Sequence, residues 1–285
     1  MKVRKAVITI AGKDQRALPL QTCIDRDGSE KPVLQILVEQ ALITNVEEIC
    51  IITWPGDEER YTQAVGKHLK RVQFIAQAQP LGYGHAILCA REAVGNEPFL
   101  HMVGDHLNIS YSPKSCAQHV VELAEAEGCA VSAVQATRET LLPNFGTIGG
   151  QRVAGSADTY RIETVVEKPT PTEAEQHLTI SGLRSGHYLC FFGIHVLTPT
   201  VMELLAAKFA AHPEGPITLT SALSELARRE QYLALEHSGR RYDIGVRYGL
   251  LTAQLGLALS GPERTEVLAH LLELLADREL SRVGQ

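Results

Sequence analysis

Lys5-Ala-Val-Ile-Thr-Ile10, followed at once by Ala11-Gly12-Lys13-Asp14-Gln15-Arg16-Ala17-Leu18-Pro19, is the stretch that decides the fold. The first six residues are mostly apolar and β-branched, and they are too few for a helix, so they read as a short buried strand. Gly12 directly behind them lets the backbone turn and present N–H groups to a phosphate. Arg16 can add a two-pronged fork to the same phosphates. An ordinary polar loop has the same composition, so this loop alone does not decide the ligand.

Working outward, apolar periodicity predicts a helix over Val33–Ile43, a strand over Glu48–Thr53 and a helix over Asp57–Leu69, with Asp57 as its cap. Val72–Ala76 reads as a strand, His85–Ala93 as a helix and Phe99–Val103 as a strand. Pro113–Glu127 reads as a helix and Cys129–Ala136 as a fifth strand. Strands alternating with helices imply βαβ units and a parallel sheet. The second half is less regular. Thr159–Val166 and His187–Val196 read as strands, and Met202–Ala211, Leu219–Arg229 and Tyr248–Leu257 as helices. Pro262–Ala276 is amphipathic, with Val267, Leu268, Leu271, Leu272 and Leu275 apolar. The expectation is an α/β chain with one unit over residues 1–260 and a C-terminal amphipathic helix over 261–285, free to pack on that unit or to support a homo-oligomer.

The chain has 285 residues, long enough to bury a sizeable core. The formal net charge is -6 and no Lys/Arg run supplies a basic face, which argues against a nucleic-acid partner. A local cluster of cations can still hold a small anion. The six cysteines form no C-x-x-C pair and several sit in apolar runs, so they read as buried free thiols. The N-terminal apolar run is too short for a signal peptide, and no stretch approaches the ~20 apolar residues of a membrane span. The expected location is the cytoplasm, with no membrane partner.

Neither G-x-G-x-x-G, nor G-x-x-x-x-G-K-[ST], nor G-x-S-x-G occurs, which disfavours several common α/β chemistries. Other segments do carry chemistry. In Gln77-Ala-Gln-Pro-Leu-Gly82-Tyr-Gly84-His85, two glycines precede a helix start and Gln77 can read a base edge. Val103-Gly104-Asp105-His106 sets a carboxylate just past a buried strand, where open α/β sheets bind ligands and where Mg²⁺ can be held. An Asp capping the next segment reads equally well. His85 and His106 lack the partners of acid–base work and read as structural. Val166-Glu167-Lys168-Pro169 ends a strand in two charges that alternation sends to different sides. Asp243 in Arg241-Tyr-Asp-Ile-Gly245 offers a second carboxylate, or a turn Asp.

In this order the segments resemble the bacterial UTP–glucose-1-phosphate uridylyltransferase family, within the sugar-phosphate nucleotidyltransferases, from about Lys5 to Leu257. Leu81–Ala90 is similar to the family's G-L-G-H-A stretch, Val166–Pro169 to its V-E-K-P, and Thr218–Thr220 with Asp243-x-Gly245 to its L-T and D-x-G segments. The resemblance implies a Rossmann-like, mostly parallel sheet flanked by helices, with inserted strands forming the sugar side. It implies a nucleoside triphosphate and a sugar 1-phosphate as substrates, joined by direct displacement with Mg²⁺ on Asp105 and Asp243. Arg16, Lys168 and Asp105 would be catalytic. Ala11, Gly12, Lys13, Gln77, Gly82, Gly84 and His85 would line the nucleotide. Phe145, Gly146, Glu167, Lys168 and Gly193 would line the sugar.

The chain departs from the family on the triphosphate side. The first loop has Asp14 and Gln15 where the family has Gly and Thr. The P-K-E-M segment has no matching Lys, leaving Arg26 as the nearest cation, although Lys31-Pro32 matches a later D-K-P piece. An acidic residue near Gly215-Pro216 is missing and Ser221 replaces an Asp. Three expectations follow: an active divergent enzyme, a weak or inactive relative that binds a sugar nucleotide or regulates a partner enzyme, and the same chemistry on another base or sugar.

Overall fold

The computed structural model describes residues 1–13 and 16–283. Asp14 and Gln15, the two altered positions of the first loop, lie outside the described residues. In chain order the first half contains β1 (Lys5–Thr9), β2 (Thr22–Ile24), β3 (Glu30–Pro32), α1 (Val33–Leu42), β4 (Glu48–Thr53), α2 (Glu58–Val65) and β5 (Val72–Ala76). It continues with α3 (Tyr83–Cys89), α4 (Arg91–Val94), β6 (Phe99–Val103), β7 (His106–Ile109), α5 (Cys116–Glu127) and β8 (Ala130–Arg138). The second half contains β9 (Gly146–Arg152), β10 (Thr159–Glu167), α6 (Pro171–His177), β11 (His187–Leu197), α7 (Pro199–Ala211) and α8 (Leu219–Arg229). It ends with β12 (Tyr232–Glu236), β13 (Arg240–Asp243), α9 (Gly249–Ala258) and α10 (Arg264–Val283).

The central sheet has the strand order β5-β4-β1-β6-β11-β8-β12-β10-β9. β5, β4, β1 and β6 are mutually parallel, as the βαβ alternation requires. β11 enters antiparallel beside β6 and β8, and β10 is antiparallel to both β12 and β9. Both sheet faces are covered. In β1, Ala6 and Ile8 join one apolar cluster and Val7 the other, so alternate residues feed opposite layers. That is why the stretch reads as a continuous apolar run.

Local chemistry moves two boundaries and removes one expected cap. The helix expected from Pro113 begins at Cys116, because Ser115 caps it. The Ser115 hydroxyl accepts from the Gln118 N–H at 3.2 Å and the Gln118 amide oxygen accepts from the Ser115 N–H at 2.9 Å, a reciprocal cap that contributes about 1 kcal/mol. The single helix expected over His85–Ala93 is two, α3 and α4, meeting at Ala90. Asp57 stands before α2 but makes no cap, because its carboxylate is committed elsewhere.

All six cysteines are free, and five are buried. Among the described residues no helix is long and apolar enough to cross a membrane.

Candidate active site

The carboxyl ends of the parallel strands converge on a cavity of about 290 Å³. Thr9 to Lys13 behind β1, Trp54 behind β4, Gln77 behind β5 and Val103 to Asp105 behind β6 line it, with Pro80, Gly82, Tyr83 and Ala86 closing one wall. Such a crevice is where open α/β sheets receive ligands. A smaller cavity of about 140 Å³ adjoins it and shares Tyr83 and Val103. Phe145, Gly146, Glu167, Phe191, Gly193, Thr220 and Arg241 are in its lining.

The residues expected at the nucleotide separate into two groups. Ala11, Gly12, Lys13, Gln77 and Gly82 line the larger cavity. Gln77 is almost fully buried, and its amide N–H groups meet the Gly82 carbonyl at 3.1 Å and His85 Nδ1 at 3.0 Å. Its carbonyl oxygen is the part left for a ligand. His85 stands behind Gln77, with its ring against Phe209 at 5.4 Å, and is outside the lining. Gly84 is also outside it. A Cβ there would come within 2.9 Å of the Ile217 carbonyl oxygen, so the glycine serves close backbone packing.

Arg16 is turned to a protein partner. Its Nε and Nη2 donate to the two carboxylate oxygens of Asp57, each at 2.5 Å, and the Tyr61 hydroxyl donates to its carbonyl at 2.9 Å. The pair holds the Asp57 carboxyl below the usual carboxylate range and raises the guanidinium. The guanidinium also lies 5.8 Å over the ring of Trp54, which is a wall of the larger cavity. The fork therefore sits beside the cavity, held by a carboxylate.

Two short strands carry the aspartates. β7 and β13 pair antiparallel with His106 opposite Asp243. The Ile244 N–H donates to the Asp105 carbonyl at 2.9 Å. Residues far apart in sequence thus end on neighbouring rungs; Asp105 lines the larger cavity, while Asp243 is outside the lining of both. The Asp105 carboxylate meets His106 Nδ1 at 2.7 Å, and Asp243 Oδ1 accepts from the Gly245 N–H at 2.8 Å. Asp243 is the turn Asp that its setting suggested, with a second oxygen left to coordinate. His106 holds a carboxylate and lines the smaller cavity, a role its isolated position in the sequence hid.

On the second cavity, Phe145, Gly146, Glu167 and Gly193 come together as expected. Glu167 ends β10 opposite Gly146, and the Thr220 hydroxyl donates to its carboxylate. Lys168 leaves the strand with φ +48°, exposed, its N–H donating to the Phe145 carbonyl at 3.1 Å. That left-handed turn costs a non-glycine residue about 1 kcal/mol and turns Lys168 away from the line of the strand. Lys168 is outside the cavity lining.

Tyr83 and Arg241 were not singled out by their sequence setting. Tyr83 is 36% exposed, yet its hydroxyl points inward to His101 Nε2 at 2.5 Å. His101 Nδ1 lies 3.0 Å from the Val7 carbonyl, so it carries the proton and Nε2 accepts from the phenol. Burial pulls His101 down to about 4, which keeps it neutral. Behind it, His195 stacks at 5.9 Å and meets the Ser132 hydroxyl at 2.6 Å, which meets the Tyr232 hydroxyl at 2.5 Å.

Comparison with known proteins gives the family. The nucleotidyl transferase family profile matches residues 8–258. A protein named UTP–glucose-1-phosphate uridylyltransferase 2 from Streptococcus pyogenes serotype M3 is 32% identical over 96% of both chains. A UTP–glucose-1-phosphate uridylyltransferase from Bacillus subtilis is 30% identical over 96% of both. The solved structure of a UDP-glucose pyrophosphorylase complexed with UDP-glucose superposes with a TM-score of 0.71 at 25% identity, covering 88% of this chain and 97% of that one. A UDP-glucose pyrophosphorylase structure from Acinetobacter baumannii shares the fold, with a TM-score of 0.73 at 24% identity over 95% and 99% of the two chains. The chain belongs to the nucleotidyl transferase family.

Proposed function

We propose that this chain joins UTP to glucose 1-phosphate, giving UDP-glucose and pyrophosphate. The observation that carries the reading is the pairing of β7 with β13, which brings Asp243 near Asp105 in the lining of the larger cavity, next to a second cavity lined by Glu167. Relatives named for this activity match over nearly the whole chain and support it.

In this reading UTP occupies the larger cavity. Gly12 and Lys13 face its phosphates, and the Gln77 carbonyl faces the base. Glucose 1-phosphate occupies the smaller cavity, with Glu167 accepting from sugar hydroxyls. A phosphate oxygen of the sugar attacks the α-phosphorus while the bond to the bridging oxygen breaks and pyrophosphate departs. No covalent protein intermediate is required. The residues position two anions and offset their repulsion.

Two carboxylates with hard oxygen donors suit Mg²⁺, which characteristically completes its shell with substrate phosphates and water. Asp105 and Asp243 would hold it. When bound, Mg²⁺ offsets phosphate charge and polarises the α-phosphoryl group. Arg16 and Lys168 are the catalytic cations of this reading, Arg16 on the triphosphate after exchanging Asp57 for phosphate, and Lys168 on the sugar phosphate.

Residues 1–260 carry the chemistry in this reading, and residues 261–285 append α10. A homo-oligomer belongs to the same reading, because Leu268, Leu272 and Leu275 are exposed at i, i+4 and i+7 on α10. Size-exclusion chromatography of Leu272→Glu tests that contact.

Pyrophosphate release with UTP, glucose 1-phosphate and Mg²⁺ tests the activity. Release that disappears in Asp105→Ala supports the reading. Absence of release with every nucleotide and sugar phosphate pair would overturn it.

A further inference from the structure

Arg241 is a half-buried guanidinium in the lining of the smaller cavity. Its Cζ lies 3.8 Å over the ring of Phe145 and 6.0 Å from that of Phe192, and one Nη donates to the Phe191 carbonyl. A guanidinium has five N–H donors. Among the described residues no carboxylate stands within ion-pair distance of it. Directly across the ladder is Asn108, whose amide is buried with neither nitrogen nor oxygen partnered, so that side chain takes up none of the remaining donors.

The strand period fixes where those donors face. Arg241 and Asp243 are two residues apart on β13, so they project from the same side. Tyr242, between them, projects to the other side, where its hydroxyl abuts Gly256 of α9. Glu167, Gly146 and Gly193 line the same cavity as the guanidinium. A half-buried cation with no ion-pair partner among the described residues is stabilised when an anion comes beside it. In the free protein the field of Asp105 and Asp243 supplies part of that charge. A divalent ion held by those carboxylates would offset that field and leave the guanidinium to an anion in its own cavity.

We propose that Arg241 is the anion-binding residue of the smaller cavity and takes the phosphate of the hexose 1-phosphate beside Lys168, an assignment that rests on the reading given under Proposed function. The guanidinium fork fits two phosphate oxygens, and its stacking on Phe145 fixes the plane of that fork. Burial lowers Arg241 to about 10, so it remains charged at neutral pH. The chain lacks the lysine of the family's P-K-E-M segment on the triphosphate side, and Arg241 supplies positive charge from the opposite side of the reacting centre.

The test uses Arg241→Met and Arg241→Lys, each first checked for a native thermal transition. Steady-state kinetics are measured against glucose 1-phosphate and against UTP, and inorganic phosphate is added as a competitor of glucose 1-phosphate. The expected result is a rise in KM for glucose 1-phosphate of about 30-fold or more in Arg241→Met and less in Arg241→Lys, with KM for UTP unchanged. Competition by inorganic phosphate should weaken in parallel. An unchanged KM for glucose 1-phosphate with intact phosphate competition would overturn the assignment. So would equal losses for both substrates with a lowered Tm, which would make Arg241 a strut between β13 and Phe145. Calorimetry of the wild-type chain with glucose 1-phosphate separates the two failures. If the wild type binds no hexose phosphate, the proposed function fails with this assignment; if it binds and Arg241→Met binds equally, only this assignment fails.

Discussion

The guanidinium of Arg16 grips both carboxylate oxygens of Asp57 at 2.5 Å, beside the cavity that is read as the triphosphate site. Polyphosphate must therefore compete with a carboxylate for the same fork. Asp57→Asn keeps the shape and removes the competitor. Its expected effect is a KM for UTP lowered about two- to fivefold, whereas Arg16→Ala raises it. A raised KM in Asp57→Asn would show that the carboxylate aims the fork and does not restrain it.

Asp105 and Asp243 meet at neighbouring rungs of β7 and β13. Replacing either with Ala should lower turnover by about 10²–10³, as for loss of one preorganised stabiliser of transition-state charge. The Mg²⁺ concentration giving half-maximal rate should rise in both variants. Calorimetry with UDP-glucose in the absence of metal should show binding kept in both, because neither residue then contacts the ligand through an ion.

Gly146 has no room for a side chain. A Cβ would lie 2.9 Å from the Phe191 ring and 3.3 Å from Glu167 Oε2. Gly146→Ala should push Glu167 off the position proposed for its sugar contact. The expected outcome is a KM for glucose 1-phosphate raised about tenfold, since a displacement near 1 Å suffices for losses of that order. KM for UTP should stay within experimental error.

Three buried histidines should make stability fall in mild acid. His101 and His237 are pulled down to about 4 by burial, and His195 well below its ordinary value. Their folded values lie below the unfolded value, so the unfolded chain binds more protons as pH drops below about 6.5. Stability therefore rises with pH between about 4 and 6.5, by up to about 1.4 kcal/mol per pH unit for each histidine. The carboxylates held low, such as Glu39 at about 2, add a loss of the same sign only below their unfolded range. Urea unfolding at stepped pH should show this slope, and His101→Gln should flatten it.

The parallel half of the sheet was legible because β1, β4 and β6 are runs of five or six residues buried on both faces, while the edge strand β5, only partly buried, still reads as a short apolar run. β7 and β13 were not. Each is four residues long, and what makes them strands is their pairing with each other across the chain. The same reason hides Arg241, whose setting is made by Phe145 and Phe191 from other elements. Gln77 and Glu167 were readable because a motif surrounds each in sequence. Asp57 precedes a helix and so resembles a cap, while its partner Arg16 lies on a distant loop. Gly84 reads as a ligand glycine from its neighbours, but its constraint comes from Ile217.

Trp54 is the sole indole in the sequence, and it stands in the wall of the larger cavity, proposed for the nucleotide, with the Arg16 guanidinium over its ring. Light absorbed selectively by indole is therefore emitted from one known place. Quenching or a spectral shift on adding a nucleotide would report events in that wall without an attached dye, and stopped-flow traces would time the exchange of Arg16 between carboxylate and phosphate.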